Sequence, residues 1–160
     1  MDEHTPLPPS ATRRSSRGKA PPKSPAYVLD DQIGFILRQA YQKHALLFVE
    51  CFGEDFTPTQ WAAVAKLSEI CGCSQNLLGR LTAMDAATIK GVVDRLMKRG
   101  YIETTPSATD RRRVLITLTA AGKKAYERGV GAALRVSSDT LLRLKPRDRT
   151  VLLRLLKQLG

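Results

Sequence analysis

From Ile33 onward the apolar positions fall at Ile33, Ile36, Leu37, Ala40, Tyr41, His44, Leu47, Phe48 and Cys51. That spacing predicts a helix of about five turns, ended by Gly53. His44 is the oddity on the stripe. Thr57-Pro58 opens a second helix: threonine suits the cap and proline the first helical position. It carries Trp61, Val64, Ala65 and Leu67 and runs to about Ile70, where Cys71-Gly72-Cys73 breaks it. Ser74 caps a short third helix over 75–82. Asp85 caps a fourth, with Ile89, Val92, Val93, Leu96 and Met97 on one face and Gly100 as its stop. Next come two runs that read as strands, YIETT and RVLITLT, around the turn-rich PSATD. Thr119 then caps a long helix over about 120–143. Lys145-Pro146 ends it, and a last helix carries Val151, Leu152, Leu155, Leu156 and Leu159. The expected order is four helices, a hairpin and two helices, with a very short strand at 71–74.

Residues 1–25 have no such period. Proline, serine and cations dominate them, and they read as a disordered basic tail with net charge +3. The whole chain of 160 residues carries +11. A balance so far from neutral favours a polyanionic partner, nucleic acid or an anionic membrane. No apolar run reaches the roughly 18 residues that span a bilayer, and the tail lacks the apolar stretch of a secretory signal. Three cysteines, Cys51, Cys71 and Cys73, form no disulfide framework, so a reducing cytoplasm is expected. An enzyme is not expected: there is no phosphate-cradling glycine loop, no His-Glu-x-x-His and no nucleophile elbow. Nor is a metal site, because Cys71-Gly72-Cys73 is too closely spaced for half a zinc site and no second pair exists.

A short helix, a turn, a second helix and a hairpin with a basic tip make a winged helix–turn–helix. Such a helix enters the major groove, and the hairpin lies over the neighbouring minor groove. Exposed positions in the first turns of the fourth helix are Ala86, Ala87, Thr88, Lys90 and Gly91. Thr88 suits phosphate or a thymine methyl, and Lys90 suits guanine acceptors or phosphate. Ala87 and Gly91 permit close approach. Arg95 holds the helix or a phosphate, and Ser74 and Gln75 meet the backbone at a helix N-terminus. The three arginines at the foot of the second strand, Arg111, Arg112 and Arg113, are the sharpest cationic feature.

The residues VVDRLMKRGYIE followed by DRRRVLITLTAAG resemble the MarR family of bacterial regulators. Arg95, Leu96 and Gly100 match the family's helix, and Asp110, Arg112, Leu118, Thr119 and Gly122 its wing. The resemblance covers about residues 30–158. It implies a mainly α fold with a small β-wing: a MarR-type domain over 26–160, its winged helix–turn–helix at about 57–118, and dimerisation helices at about 30–52 and 120–159. It implies a homodimer bound to a palindromic double-stranded DNA operator. Arg112 becomes the wing-tip residue of the minor groove, Asp110 its brace, and Arg111 and Arg113 phosphate contacts. The apolar stripes at 33–51 and 151–159 fit a partner subunit. Residues 119–160 carry +7, which leaves room for further phosphate contacts or a solvated helix.

Many family members release DNA when a small aromatic acid binds. Arg38, Tyr41, His44 and Trp61 are the candidate residues here, aromatic walls with a cation for a planar carboxylate. The alternative for Tyr41, His44 and Trp61 is a place in the core. The stretches FTPTQWAAVAKL and SQNLLGRLTAMDAATIKGVVDRL are similar to repressors of nicotinic-acid degradation, the NicR and BpsR type. That similarity implies 6-hydroxynicotinate or a related acid as effector, with no other cofactor. Two alternatives stay open. One is a redox sensor acting through a cysteine, although the family's peroxide sensors carry theirs near the start of the first helix, where this chain has none. The other is a chromatin-like protein that coats DNA without sequence preference.

Overall fold

The computed structural model describes residues 26–106 and 114–159. Its elements are α1 (Ile33–Phe52), α2 (Pro58–Ile70), α3 (Gln75–Leu81), α4 (Ala86–Lys98), β1 (Ile102–Pro106), β2 (Val114–Leu118), α5 (Ala120–Thr140) and α6 (Pro146–Leu156). The order is the one the periodicity predicts. A 3-10 turn at Leu29–Asp31 precedes α1, and α5 ends three residues before the expected 143. Pro146 begins α6 rather than merely breaking the chain, as its fixed φ permits at a first helical position.

Four helix starts are set by local side chains. Thr57 Oγ1 accepts the Gln60 N–H while the Gln60 side chain accepts the Thr57 N–H, a reciprocal capping box. Ser74 accepts from Leu77, Asp85 from Thr88 and Thr119 from Gly122. Each such cap is worth about 1 kcal/mol to its helix.

β1 and β2 pair antiparallel, from Ile102 opposite Leu118 to Pro106 opposite Val114. The expected short strand at 71–74 is a single antiparallel bridge, Cys73 to Ile116. It ties the loop before α3 to the wing's second strand. Val64, Leu67, Leu78, Ile89, Val92, Leu96, Ile102 and Ile116 are buried together beneath α2, α3, α4 and the hairpin. α5 lies along both α1 and α2 and contributes Ala125, Ala132 and Val136.

The packing leaves one face unfinished. Ile33, Ile36, Leu37 and Tyr41 of α1 are exposed, as are Val151, Leu153, Leu155 and Leu156 of α6. α6 has no buried residue at all. Only the C-terminal end of the α1 stripe, with Phe48 and Phe52, is covered by this chain's own α5 and α2.

Candidate nucleic-acid interface and effector site

α4 divides cleanly into two faces. Ile89, Val92, Val93 and Leu96 are buried. Opposite them, Ala86, Ala87, Lys90 and Arg95 are exposed, with Thr88 and Gly91 half-buried. Asp85 accepts the Thr88 N–H at 2.7 Å, and that bond holds its carboxyl below the usual aspartate range. Lys90 donates to Asp94 at 3.0 Å, one turn on, and both are largely solvated. Such a pair is worth only about 0.3–0.5 kcal/mol, so Lys90 can leave Asp94 at little cost. The Arg95 guanidinium lies over Gly91, where an added Cβ would sit 3.5 Å from its nitrogens. That is ordinary contact, so the protein's own packing does not require glycine there. Ser74 Oγ caps α3 by accepting the Leu77 N–H, which leaves its own proton to donate, and Gln75 beside it is half-buried. The wing-tip candidates Asp110, Arg111, Arg112 and Arg113 lie outside the described residues.

The joint between α4, the wing and α5 is tight. Thr119 donates from its backbone to Tyr101 O at 3.1 Å and from its hydroxyl to Gly100 O at 2.6 Å. A Cβ at Gly122 would lie 2.9 Å from the Tyr101 carbonyl carbon and closer still to its oxygen. Glycine at 122 therefore lets the start of α5 press against the hinge that follows α4. Arg99 closes the other side. Its guanidinium stacks over Phe56 and Tyr101, 5.4 and 4.7 Å from the ring centroids. It donates to the Asp55 carbonyl and, at 3.2 Å, to the Tyr101 hydroxyl.

The four effector candidates fall into two places. Arg38 and Tyr41 are exposed on α1, with the Tyr41 and His44 rings 6.4 Å apart. His44 Nδ1 is 3.0 Å from Thr140 Oγ1, whose own proton goes to Val136 O at 2.7 Å. Nδ1 is thus the donor, which in a neutral ring leaves Nε2 as the acceptor. Trp61 takes the core place that the sequence left open. It stacks on Tyr126 at 5.5 Å and 16° and packs 5.0 Å from Phe52 and 5.6 Å from Phe56. Gly129 admits it, since a Cβ there would stand 2.9 Å from Trp61 Cη2 and closer still to Cζ3. Phe52 is eight residues beyond His44, about 12 Å along α1.

Of the cysteines, Cys73 is buried by the wing, and burial pushes its thiol above the usual range. Cys51 is half-buried and Cys71 exposed. Among the described residues no helix is long and apolar enough to cross a membrane.

This arrangement of three-helix core, hairpin and flanking long helices defines a winged helix–turn–helix DNA-binding protein. The profile described as MarR family matches residues 54–113. Over 149 residues the chain is 30% identical to the HTH-type transcriptional repressor NicR of Pseudomonas putida, covering 92% of this chain and 94% of that one. A probable transcriptional regulator from Pseudomonas aeruginosa superposes with a TM-score of 0.80 at 51% identity, over 83% of this chain and 100% of its own. Bordetella bronchiseptica BpsR, whose structure addresses regulation of its DNA binding by 6-hydroxynicotinic acid, gives 0.81 at 32% identity, over 84% and 97%. The chain belongs to the MarR family of transcriptional regulators.

Proposed function

We propose that the chain is a homodimeric repressor of a palindromic operator, released by a small aromatic carboxylate such as 6-hydroxynicotinate. One pairing of features carries the reading: a small-residue, polar face on α4 and an open apolar face on α1 and α6. The first fits a major groove and the second a partner copy. Ala86, Ala87 and Gly91 let the α4 backbone close on the base pairs, where Thr88 and Lys90 supply contacts. Arg95, Ser74 and Gln75 meet phosphates. Arg112 reads the minor groove beside Asp110, and Arg111 and Arg113 add phosphate contacts.

For the effector, Arg38 takes the carboxylate, and Tyr41 and His44 bound the ring. With Nδ1 committed to Thr140, neutral His44 offers an acceptor that suits a hydroxyl or ring N–H. Trp61, packed on Phe52 and Tyr126, stands apart from this site. The name of NicR and the effector named for BpsR support this choice of ligand.

Fluorescence-polarisation binding to the intergenic DNA upstream of its own gene, against random competitor, tests the reading. The expected result is a preference of about 10³-fold or more that 6-hydroxynicotinate abolishes and Arg38→Gln makes insensitive. Arg112→Ala should weaken operator binding by about 1–3 kcal/mol and lower the salt slope by about one. Release by peroxide but by no acid would move the sensor to the cysteines. Equal binding to random DNA and to every upstream region tried would replace the repressor with a DNA-coating protein.

A further inference from the structure

Arg99 follows the last residue of α4 and belongs to neither the DNA-facing set nor the effector set. Its guanidinium joins two segments that lie far apart in the chain. It stands over the Phe56 ring at 5.4 Å and the Tyr101 ring at 4.7 Å. Its N–H groups donate to the Asp55 carbonyl and, at 3.2 Å, to the Tyr101 hydroxyl. Asp55 and Phe56 belong to the loop that leaves α1, and Tyr101 leads into β1. Phe56 is buried and packs edge-on against Phe52, in the last turn of α1, at 6.2 Å. It also packs on Tyr101 at 5.7 Å. A row of rings thus runs from the end of α1 to the start of the wing, and Arg99 lies across two of them. Arginine suits the place for a physical reason. A flat guanidinium stacks on rings and still aims N–H groups sideways at a carbonyl and a hydroxyl, whereas the lysine ammonium is a compact point charge. α4 packs chiefly on α3, α2 and β1, all within the winged unit. Arg99 adds a tie to the loop beyond it.

We infer that Arg99 is a positioning residue: it fixes the angle of α4 to α1, and so sets which spacing of half-sites the dimer accepts. The inference rests on the reading of a homodimer on a palindrome. α1 is the fixed reference, because its exposed apolar stripe is the face offered to the partner copy. α4 is the lever. Ala86, at its DNA-facing end, lies thirteen residues before Arg99, about 20 Å along the helix. A tilt of roughly 6° about Arg99 moves that end by about 2 Å. Two copies related by symmetry shift by up to about 4 Å relative to each other. That is close to the roughly 3.4 Å rise of one base pair. Without the tie, the two α4 helices would meet half-sites over a range of spacings. No single spacing would then gain the full advantage of binding at both ends.

The test is fluorescence polarisation of the full chain with a series of duplexes. The series holds the upstream palindrome, the same palindrome with its spacer one base pair longer or shorter, and one half-site set in random sequence. For two linked modules the palindrome's advantage over the half-site is about 10²–10⁴. Arg99→Gln should cut that advantage about tenfold or more and flatten the spacer preference. It should leave half-site affinity and its salt slope unchanged. Arg99→Lys keeps the charge without the flat fork and should behave like Arg99→Gln. Tyr101→Phe removes one hydrogen-bond partner and keeps both rings. It should lose a smaller part of the advantage in the same direction, which guards against loss of fold as the explanation. A glutamine variant with the wild-type advantage and spacing would overturn the inference. So would an equal loss on half-site and palindrome. With a salt slope lower by about one, that loss would mark Arg99 as a phosphate contact; with the slope unchanged, as a general support of the fold. If the wild-type chain gains nothing from the palindrome, the homodimer reading fails and the spacing role fails with it. A wild-type advantage that survives in the variants refutes the role of Arg99 alone.

Discussion

Replacing Gly122 by alanine tests how the DNA-reading unit is locked to the long helices. The new Cβ would stand 2.9 Å from the Tyr101 carbonyl carbon and 3.3 Å from Leu118 Cδ2. Ordinary contact begins near 3.4 Å, so the joint must open by more than 0.5 Å, and further to clear the carbonyl oxygen. Neither side yields easily, because one is backbone and the other is the first turn of α5. Opening it stretches the Thr119 bonds to Tyr101 O and Gly100 O, now 3.1 and 2.6 Å. Overpacking costs about 1–3 kcal/mol, and two weakened hydrogen bonds add roughly 1 kcal/mol more. The expected loss is about 3 kcal/mol, seen as a fall in Tm of roughly 6–12 °C. Melts must be compared at equal protomer concentration, since association shifts Tm. Gly131→Ala is the matched control. Nothing lies within 4 Å of that position, so alanine should stabilise the helix by about 0.5–1 kcal/mol. A Gly122→Ala protein within 1 kcal/mol of wild type would refute the reasoning. It would mean that the contact with Tyr101 can relax without disturbing the hinge.

Three further outcomes are expected. Gly91→Ala should stabilise α4 by about 0.5–1 kcal/mol, because its Cβ meets only the movable Arg95, yet weaken operator binding in polarisation assays if, as proposed, that face closes on the base edges. Asp85→Ala should flatten the acid limb of the stability curve. The carboxyl's folded pKa is lowered by the Thr88 N–H, so its contribution is complete above the ordinary aspartate pKa and is lost as pH falls through the lowered value. Circular dichroism from pH 6 down to about 2 reads the difference. Leu37→Glu with Leu155→Glu should yield monomers by light scattering and abolish palindrome binding, since both leucines lie on the open apolar face.

The elements and their starts were legible in the sequence because their causes are local. Thr57 with Gln60, Ser74, Asp85 and Thr119 each cap a helix through a partner three residues on. The buried side of α4 follows from helical period except at Met97, which the period puts there but which is exposed, and the apolar stripes that stay open on α1 and α6 follow from it too. The DNA-facing candidates on α4 were readable for the same reason, and those of the wing tip rested on motif resemblance.

Tertiary structure decided which non-neighbours meet. His44 finds Thr140 across 96 residues. Trp61, an effector candidate through the family resemblance, becomes a half-buried ring packed on the core because Gly129 leaves room on α5 and Tyr126 offers a stacking face. Arg99 reads only as one of many cations until Asp55 and Phe56 are folded against it. A hydrophobic period states which side of a helix is buried. It does not state which backbone will approach that side to within one missing Cβ, because that distance depends on the packing of segments far apart in the chain.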